Sequence, residues 1–331
     1  MINNICIIYS HHKLGDLIWQ LPYIKAISIH HAVPVDLIVR EKTQAKDILK
    51  DIKHLNEINY NNFRKGLFYW IDVFKLKKII SSNKYTHVYI LDKINKPAIA
   101  ATLSNVKNII GPGIKRQKKW LTTNIFLEDK DWELSYSEQS QKLLNLHEIK
   151  IEDIYPNIEI SSDRLKKLKN KKSYKGKKIA FGVDSFEEYK IWYEENFIEL
   201  AKKLHERGLF DRIYLICGKD KQHFAKNIIN KSNKDYFIDC SDLKLLEVMG
   251  VLKDSDFFVG NNSGPLNLSA ALDITSFGLF SNTAISQLKF SKVIPLTPLN
   301  YIDNRFIKDR KEMKKLTVEK VFNDIIERLK L

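Results

Sequence analysis

Three short stretches carry residues whose types and spacing could do chemistry. In KLGDLIWQLPYIKA, residues 13–26, Gly15 and a single carboxylate, Asp16, follow an apolar β-branched run and precede a helical apolar pattern. A carboxylate there can cap the helix or take a proton from a hydroxyl, and the residues alone favour the cap. In VGNNSGPLNLSAALD, residues 259–273, a strand pattern runs into Gly-Asn-Asn-Ser-Gly, Pro265 suits the first helical position, and Ser269, Ala270 and Ala271 allow close packing on a sheet. Backbone N–H groups near Ser263 and Gly264, at the positive end of the helix dipole, would hold a diphosphate. An ordinary capped helix needs the same residues. In FGVDSFEEYKIW, residues 181–192, Lys190 could neutralise a phosphate oxygen, although a lone lysine in so basic a chain is ordinarily solvated.

Strands must carry these loops. Apolar β-rich runs recur at 5–9, 35–39, 87–91 and 108–110, and again at 178–181, 212–217, 236–239, 256–259 and 275–280. Helical patterns separate them, including 16–28, 195–207, 220–229, 242–252 and 265–272, so the spacing predicts α/β architecture with parallel sheets. In such sheets ligands bind beyond the carboxyl ends of the strands, where all three stretches fall. The run RLKKLKNKKSYKGKK, residues 164–178, carries nine basic residues and no acidic one. Its start reads as a short solvated helix and its remainder as a linker between domains 1–163 and 179–331.

Composition narrows the function. With 331 residues and 44% hydrophobic content the chain can build two cores, and no run approaches the roughly 18–20 apolar residues of a membrane span. The start MINNICIIYS lacks a basic n-region, so a cytoplasmic protein beginning at Met1 is expected. Three separated cysteines suit a reducing compartment and neither a disulfide framework nor a zinc site. The pairs His11-His12 and His30-His31 read as surface or loop residues. Asp-x-Asp at 129–131 and 254–256 does not follow a strand, so no metal is expected. A net charge of +15 attracts polyanions: nucleic acid, anionic lipid or phosphorylated sugars. One competing reading is therefore a non-catalytic α/β protein binding nucleic acid or another polyanion, but no RNA-binding, helix-turn-helix or zinc signature is present. A dinucleotide-dependent oxidoreductase would need GxGxxG after the first strand, where the chain reads SHHKLGD.

Together these residues resemble glycosyltransferase family 9, the lipopolysaccharide heptosyltransferases. Gly15-Asp16 with Leu17, Leu21, Pro22 and Ala26 is similar to the family's amino-terminal signature, and Asp92 to the aspartate of its first-domain DLQG stretch. Lys190 and Trp192 match its Lys-x-Trp, and residues 256–283 follow its VGxDSGxxHLAAAL...ALFGxT segment almost position by position. The resemblance implies a GT-B architecture of two Rossmann-like domains facing a cleft, with the last helix able to pack back on the amino-terminal domain. It implies inverting, metal-independent transfer from a nucleotide-sugar donor, ADP-heptose in the family, to a lipid-linked lipopolysaccharide-core acceptor.

In the roles it implies, Asp16 is the base, reversing the preference for the cap. Gly15 and Asp92 lie on the acceptor side, and Lys190, Trp192, Asn262, Ser263, Gly264 and Asn267 on the donor side. Asn262 and Asn267 stand where the family has aspartate and histidine, so another sugar or nucleotide also suits the pocket. The basic surface, with Lys115, Arg116, Lys118 and Lys119, would hold the enzyme on the inner face of the cytoplasmic membrane.

Overall fold

The computed structural model describes residues 4–169, 174–303 and 306–330, which form two compact units, Met1–Glu159 and Ile160–Leu331. In the first, strands β1 (Ile5–Ile8), β2 (Val35–Val39), β3 (Leu55–Tyr60), β4 (His87–Ile90) and β5 (Asn108–Ile110) form one sheet in the order β3-β2-β1-β4-β5. Every pairing is parallel, for instance Ile7 with Leu37 and with Tyr89. Helices α1 (Leu14–Ile18), α2 (Leu21–His31), α3 (Ala45–Ile48), α4 (Tyr69–Asn83), α5 (Lys96–Thr102) and α6 (Tyr136–Leu146) connect or cover the strands. Parallel strands need such crossovers, and burial on both faces explains why β1 and β2 are continuous apolar runs broken only at Asp36.

The second unit begins with α7 (Ser162–Lys169). Its sheet holds β6 (Lys178–Gly182), β7 (Arg212–Ile216), β8 (Phe237–Asp239), β9 (Phe257–Asn261), β10 (Thr275–Leu279) and β11 (Ile294–Leu296), ordered β11-β10-β9-β6-β7-β8 and again parallel. Its helices are α8 (Glu194–Glu206), α9 (Gln222–Ser232), α10 (Leu245–Lys253), α11 (Gly264–Ala271) and α12 (Val318–Leu329). The apolar stripe Val321, Phe322 and Ile325 of α12 joins Phe197, Leu200 and Leu204 of α8 in one core. That stripe is used within its own unit.

Three expectations change. The pattern 16–28 is two helices, because Pro22 has no N–H to continue the ladder from α1, and α2 restarts with the proline in its first turn. The start of the basic run 164–178 is a helix, as its pattern predicts, but not a fully solvated one: α7 packs on α10, where a Cβ at Gly250 would lie 2.8 Å from Leu168, and Lys178 already opens β6. Residues 170–173 of that run lie outside the described residues. Strands β3 and β11, both sheet edges, are not among the expected strands: β3 is half-exposed and polar, and the short apolar β11 contains Pro295.

Gly182 and Gly260 are paired across β6 and β9. A Cβ on Gly260 would lie 2.8 Å from the Gly182 backbone, and one on either glycine would run into the Phe258 ring. Gly260→Ala is therefore expected to destabilise the protein by about 1–3 kcal/mol through overpacking, and an unchanged urea midpoint would contradict this. At the other end of the first sheet, His31 packs against the rings of His30 and His87 and shares a 2.8 Å hydrogen bond with the Tyr89 hydroxyl. Burial, then the neighbouring His87 and His30, push its pKa down to about 4. The stability that neutral His31 contributes is present above its ordinary pKa of 6.5 and is lost as pH falls from there towards about 4. Thermal melts should show a pH slope in that window that His31→Gln flattens. An equally steep slope in the variant would place the titration elsewhere.

Candidate active site

Both sheets wind in two directions from their first strand. In the first unit β1 lies between β2 and β4, and in the second β6 lies between β7 and β9. The connections on either side diverge, which opens a crevice beyond the carboxyl ends of β1 and β4 in one unit and of β6 and β9 in the other. Each sequence-predicted stretch ends at one of these two places.

At the first, β1 runs through Tyr9 into Ser10, whose backbone N–H donates to Asp92 Oδ2 at 2.6 Å. Asp92 follows β4, is 1% exposed, and also accepts the Ile94 N–H at 3.0 Å. Burial pushes its carboxyl above the usual range, against the pull of those bonds from Ser10 and Ile94. So enclosed, Asp92 acts by locking the loops after β1 and β4 together. Gln117, fully buried, donates to the carbonyls of Asp92 and Ile94 and accepts the Gly113 N–H, tying in the loop after β5. Arg40, at the end of β2, donates to the Ser10 and Phe63 carbonyls. Four strand ends are thus cross-linked around one loop.

Asp16 projects from that frame. It lies inside α1, whose N-cap is Lys13, and makes no capping bond, so the cap favoured by the residues alone is not observed. Its carboxylate is 39% exposed and sits 3.6 Å from Nδ1 of His11. The His11 ring stacks on Tyr9 and meets the edge of Tyr136, so the imidazole is held in place by aromatic contacts. Burial, then Asp92 and Asp16, raise the Tyr136 hydroxyl above its ordinary pKa. Gly15 is the helical residue before Asp16.

At the second crevice β9 ends in Asn261 and the chain turns through Asn262 and Ser263 into α11. Ser263 is the N-cap residue, yet its side chain makes no cap bond, and its Oγ is a buried atom without a partner. The same is true of Nδ2 of Asn261. A Cβ added to Gly264 would meet nothing within 4 Å, so space lies open at the helix start. First-turn N–H groups have no intrahelical acceptor and carry the positive end of the dipole. Two orphaned polar atoms beside open space and these donors make a socket for oxygen atoms of an anion.

The loop after β6 folds onto this socket. Ser185 Oγ donates to the Asn262 carbonyl at 3.1 Å, Asn262 Nδ2 donates to Thr283 Oγ1 at 3.3 Å, and Asn267 Nδ2 donates to the Ser263 carbonyl at 3.2 Å. Lys190 Nζ is 2.9 Å from Glu187 Oε2, so an arriving phosphate would compete with a carboxylate already in place. Trp192, grouped with the donor residues from sequence, is fully buried. Its N–H donates to Asn261 Oδ1 at 2.8 Å and its indole Nε1 to the Leu316 carbonyl at 2.9 Å. The indole therefore occupies core volume, and Trp192 anchors the loop that bears Lys190.

Sequence reasoning missed Ser185, Asn261, Asn282, His11, Arg40 and Gln117. Asn282, 1% exposed, donates to the Tyr189 carbonyl, and its own carbonyl accepts the Ile307 N–H, so it holds three loops. An asparagine ending the apolar run FFVGN was the one usable signal. Both Asp-x-Asp pairs serve structure: Asp131 bonds Lys142 and the Glu128 N–H, while Asp254 and Asp256 receive Lys178 and, for Asp254, Tyr214. Among the described residues no group of three or more His, Cys, Asp or Glu side chains is placed to hold a metal ion.

The glycosyltransferase family 9 (heptosyltransferase) model matches residues 73–325. Lipopolysaccharide heptosyltransferase 1 of Campylobacter coli is 30% identical over 128 residues, which are 38% of this chain and 36% of that protein. Among solved structures, E. coli ADP-heptose lps heptosyltransferase II superposes with a TM-score of 0.79 at 15% identity, covering 97% of each chain. E. coli heptosyltransferase WaaC with ADP-2-deoxy-2-fluoro heptose gives 0.75 at 16% identity, covering 98% of this chain and 99% of that one. At these identities the likeness is one of fold, the GT-B pair of Rossmann-like domains. The polyanion-binding and oxidoreductase readings find no support in these matches. The family pattern runs from within α4 to within α12, across both sheets, and the chain belongs to glycosyltransferase family 9 and is a glycosyltransferase.

Proposed function

We propose that this glycosyltransferase moves a heptosyl residue from ADP-heptose, with inversion, onto an anionic lipid-linked acceptor of the lipopolysaccharide-core type. The observation that carries the donor half is the socket at the start of α11, where Ser263 Oγ and Asn261 Nδ2 are buried without partners. The relatives' donors are ADP-linked by their names, and Asn262 and Asn267 keep hydrogen-bonding ability where the family has charged or ionisable groups.

In the chemistry, an acceptor hydroxyl oxygen attacks the anomeric carbon as the bond from that carbon to the diphosphate oxygen breaks. Asp16 takes the hydroxyl proton, and the α11 N-terminus with Lys190 receives the negative charge on the departing diphosphate. This division needs no metal. On the acceptor side, a cavity of about 380 Å³ in the first unit is lined by Arg64, Lys65, Lys93, Lys96, Lys115 and Arg116, together with Phe63 and Tyr69. Six cations around one cavity suit an acceptor that carries phosphate or carboxylate groups.

Asp16→Asn should retain the fold, because the side chain is 39% exposed and caps nothing, yet lose transfer by a factor on the order of 10²–10⁴. Near-normal turnover would remove Asp16 from the base role. In a thermal-shift panel of ADP, UDP, GDP, CDP and dTDP, ADP should stabilise selectively, by about 2.7 kcal/mol at a hundred times its Kd. Selectivity for another nucleotide would reassign the donor, and no shift with any would contradict the proposed socket.

A further inference from the structure

Helix α4 has two apolar faces. One, with Val73, Leu76 and Ile80, is in the core of the first unit. On the opposite side of its first two turns stand Trp70, Ile71 and Phe74, and just before the helix Leu67 and Phe68. These five are exposed, Leu67 at 96% and Trp70 at 54%. Trp70 and Phe74 lie with ring centroids 6.3 Å apart, forming one aromatic surface. Isolated exposed apolar residues need no explanation, but five contiguous ones do.

The surroundings say what would cover them. Residues 61–84 contain six basic residues, Arg64, Lys65, Lys75, Lys77, Lys78 and Lys84, and one acidic residue, Asp72. Asp72 is fully buried and already held by the Arg64 guanidinium at 2.6 Å, the Arg64 N–H at 2.7 Å and Lys96 at 3.4 Å. The segment 61–84 therefore presents aromatic and aliphatic groups beside lysines, and its one carboxylate is buried. Arg64 further fixes the edge of the patch by lying over the Phe68 ring, 4.3 Å from its centroid. Arg64, Lys65 and Tyr69 also line the basic cavity, so the patch and the cavity mouth are continuous.

We propose that the Leu67–Phe74 face of this chain docks on a bilayer containing anionic lipid. Trp70, Phe74, Ile71, Leu67 and Phe68 would enter the headgroup boundary, with the surrounding lysines at phosphate level. Tryptophan, with its polar indole N–H, and phenylalanine favour that depth, and the nearby lysines add attraction to an anionic surface. Docking this way sets the mouth of the basic cavity beside the lipid headgroups, where a lipid-linked acceptor presents its charged sugars. That last consequence rests on the proposed function; the docking itself does not, and it is measured without turnover.

The test is flotation of the purified chain with phosphatidylglycerol-containing and pure phosphatidylcholine vesicles, without nucleotide. Wild type should float with the anionic vesicles, and the triple variant Leu67→Ser, Trp70→Ser, Phe74→Ser should bind at least about tenfold more weakly with an unchanged melting temperature. Lys75→Glu with Lys78→Glu should weaken binding and its salt dependence. Brominated acyl chains should quench wild-type tryptophan fluorescence, and Trp70→Phe should lose that quenching. Binding of the triple variant equal to wild type, or wild type indifferent to anionic vesicles, would overturn the proposal. So would a wild-type dimer in solution that the same substitutions dissociate, since the face would then join two copies. A retained ADP shift alongside any of these failures leaves the donor reading standing.

Discussion

The account depends on one topological constraint: in each sheet the first strand is central, and the chain winds away from it in opposite directions. Parallel strands deliver all their carboxyl ends to one edge, and the reversal leaves the only place on that edge where connecting loops part. In the first unit the parting holds the loop of Ser10 to Asp16 and the loop of Asp92. In the second it holds the loop of Ser185 to Trp192 and the turn of Asn261 to Gly264. The pairing of Gly182 with Gly260 directly beneath that turn shows how closely the strands must approach for it to form.

Around each parting some polar residues fasten the loops to one another, while a few polar groups remain uncommitted. Asp92, Gln117 and Arg40 spend their hydrogen bonds on backbone groups of neighbouring loops, as do Asn261 and Asn282 in the other unit. Asp16 is the half-exposed carboxylate on the first frame, and the Ser263 hydroxyl is an unfilled position on the second. Buried polar groups without partners are costly, so a native fold that keeps one beside a helix N-terminus gains when an anion supplies the missing bond. The same logic applies at Asp72. Burial acts to raise its carboxyl, and the bonds from Arg64 and Lys96 overcome that and hold it below the usual range. This leaves the start of α4 firmly placed, with its second apolar face outward.

Much of this was legible because the loops follow β-branched runs and carry turn residues at fixed offsets. Gly15-Asp16 and the Asn-Asn-Ser-Gly turn were located from residue type and position alone. What was not legible depended on distance. His11 gains meaning only from Tyr136, Arg40 from Phe63 and Ser10, and Gln117 from Asp92, and none of these pairings leaves a local pattern. The packing role of Trp192 was equally illegible: two residues from Lys190, it turns into the core and bonds the Leu316 carbonyl. Edge strand β3 escaped because a half-solvated strand has no need of a continuous apolar run, and β11 because it is three residues long and contains Pro295. The single expected helix from Asp16 failed on one missing N–H, at Pro22, and Asp16 is not its cap because α1 already begins at Leu14.

The most direct test of the central claim, that proton acceptance and donor stabilisation are built at two separate partings, is a paired measurement of donor affinity and transfer rate. Both should be determined for Asp16→Asn and for Ser263→Ala with ADP-heptose as donor. The account predicts a split: Asp16→Asn binds donor as wild type and loses the transfer step, whereas Ser263→Ala weakens donor binding. Equal losses of affinity and rate in both variants, or a loss of donor affinity confined to Asp16→Asn, would contradict it.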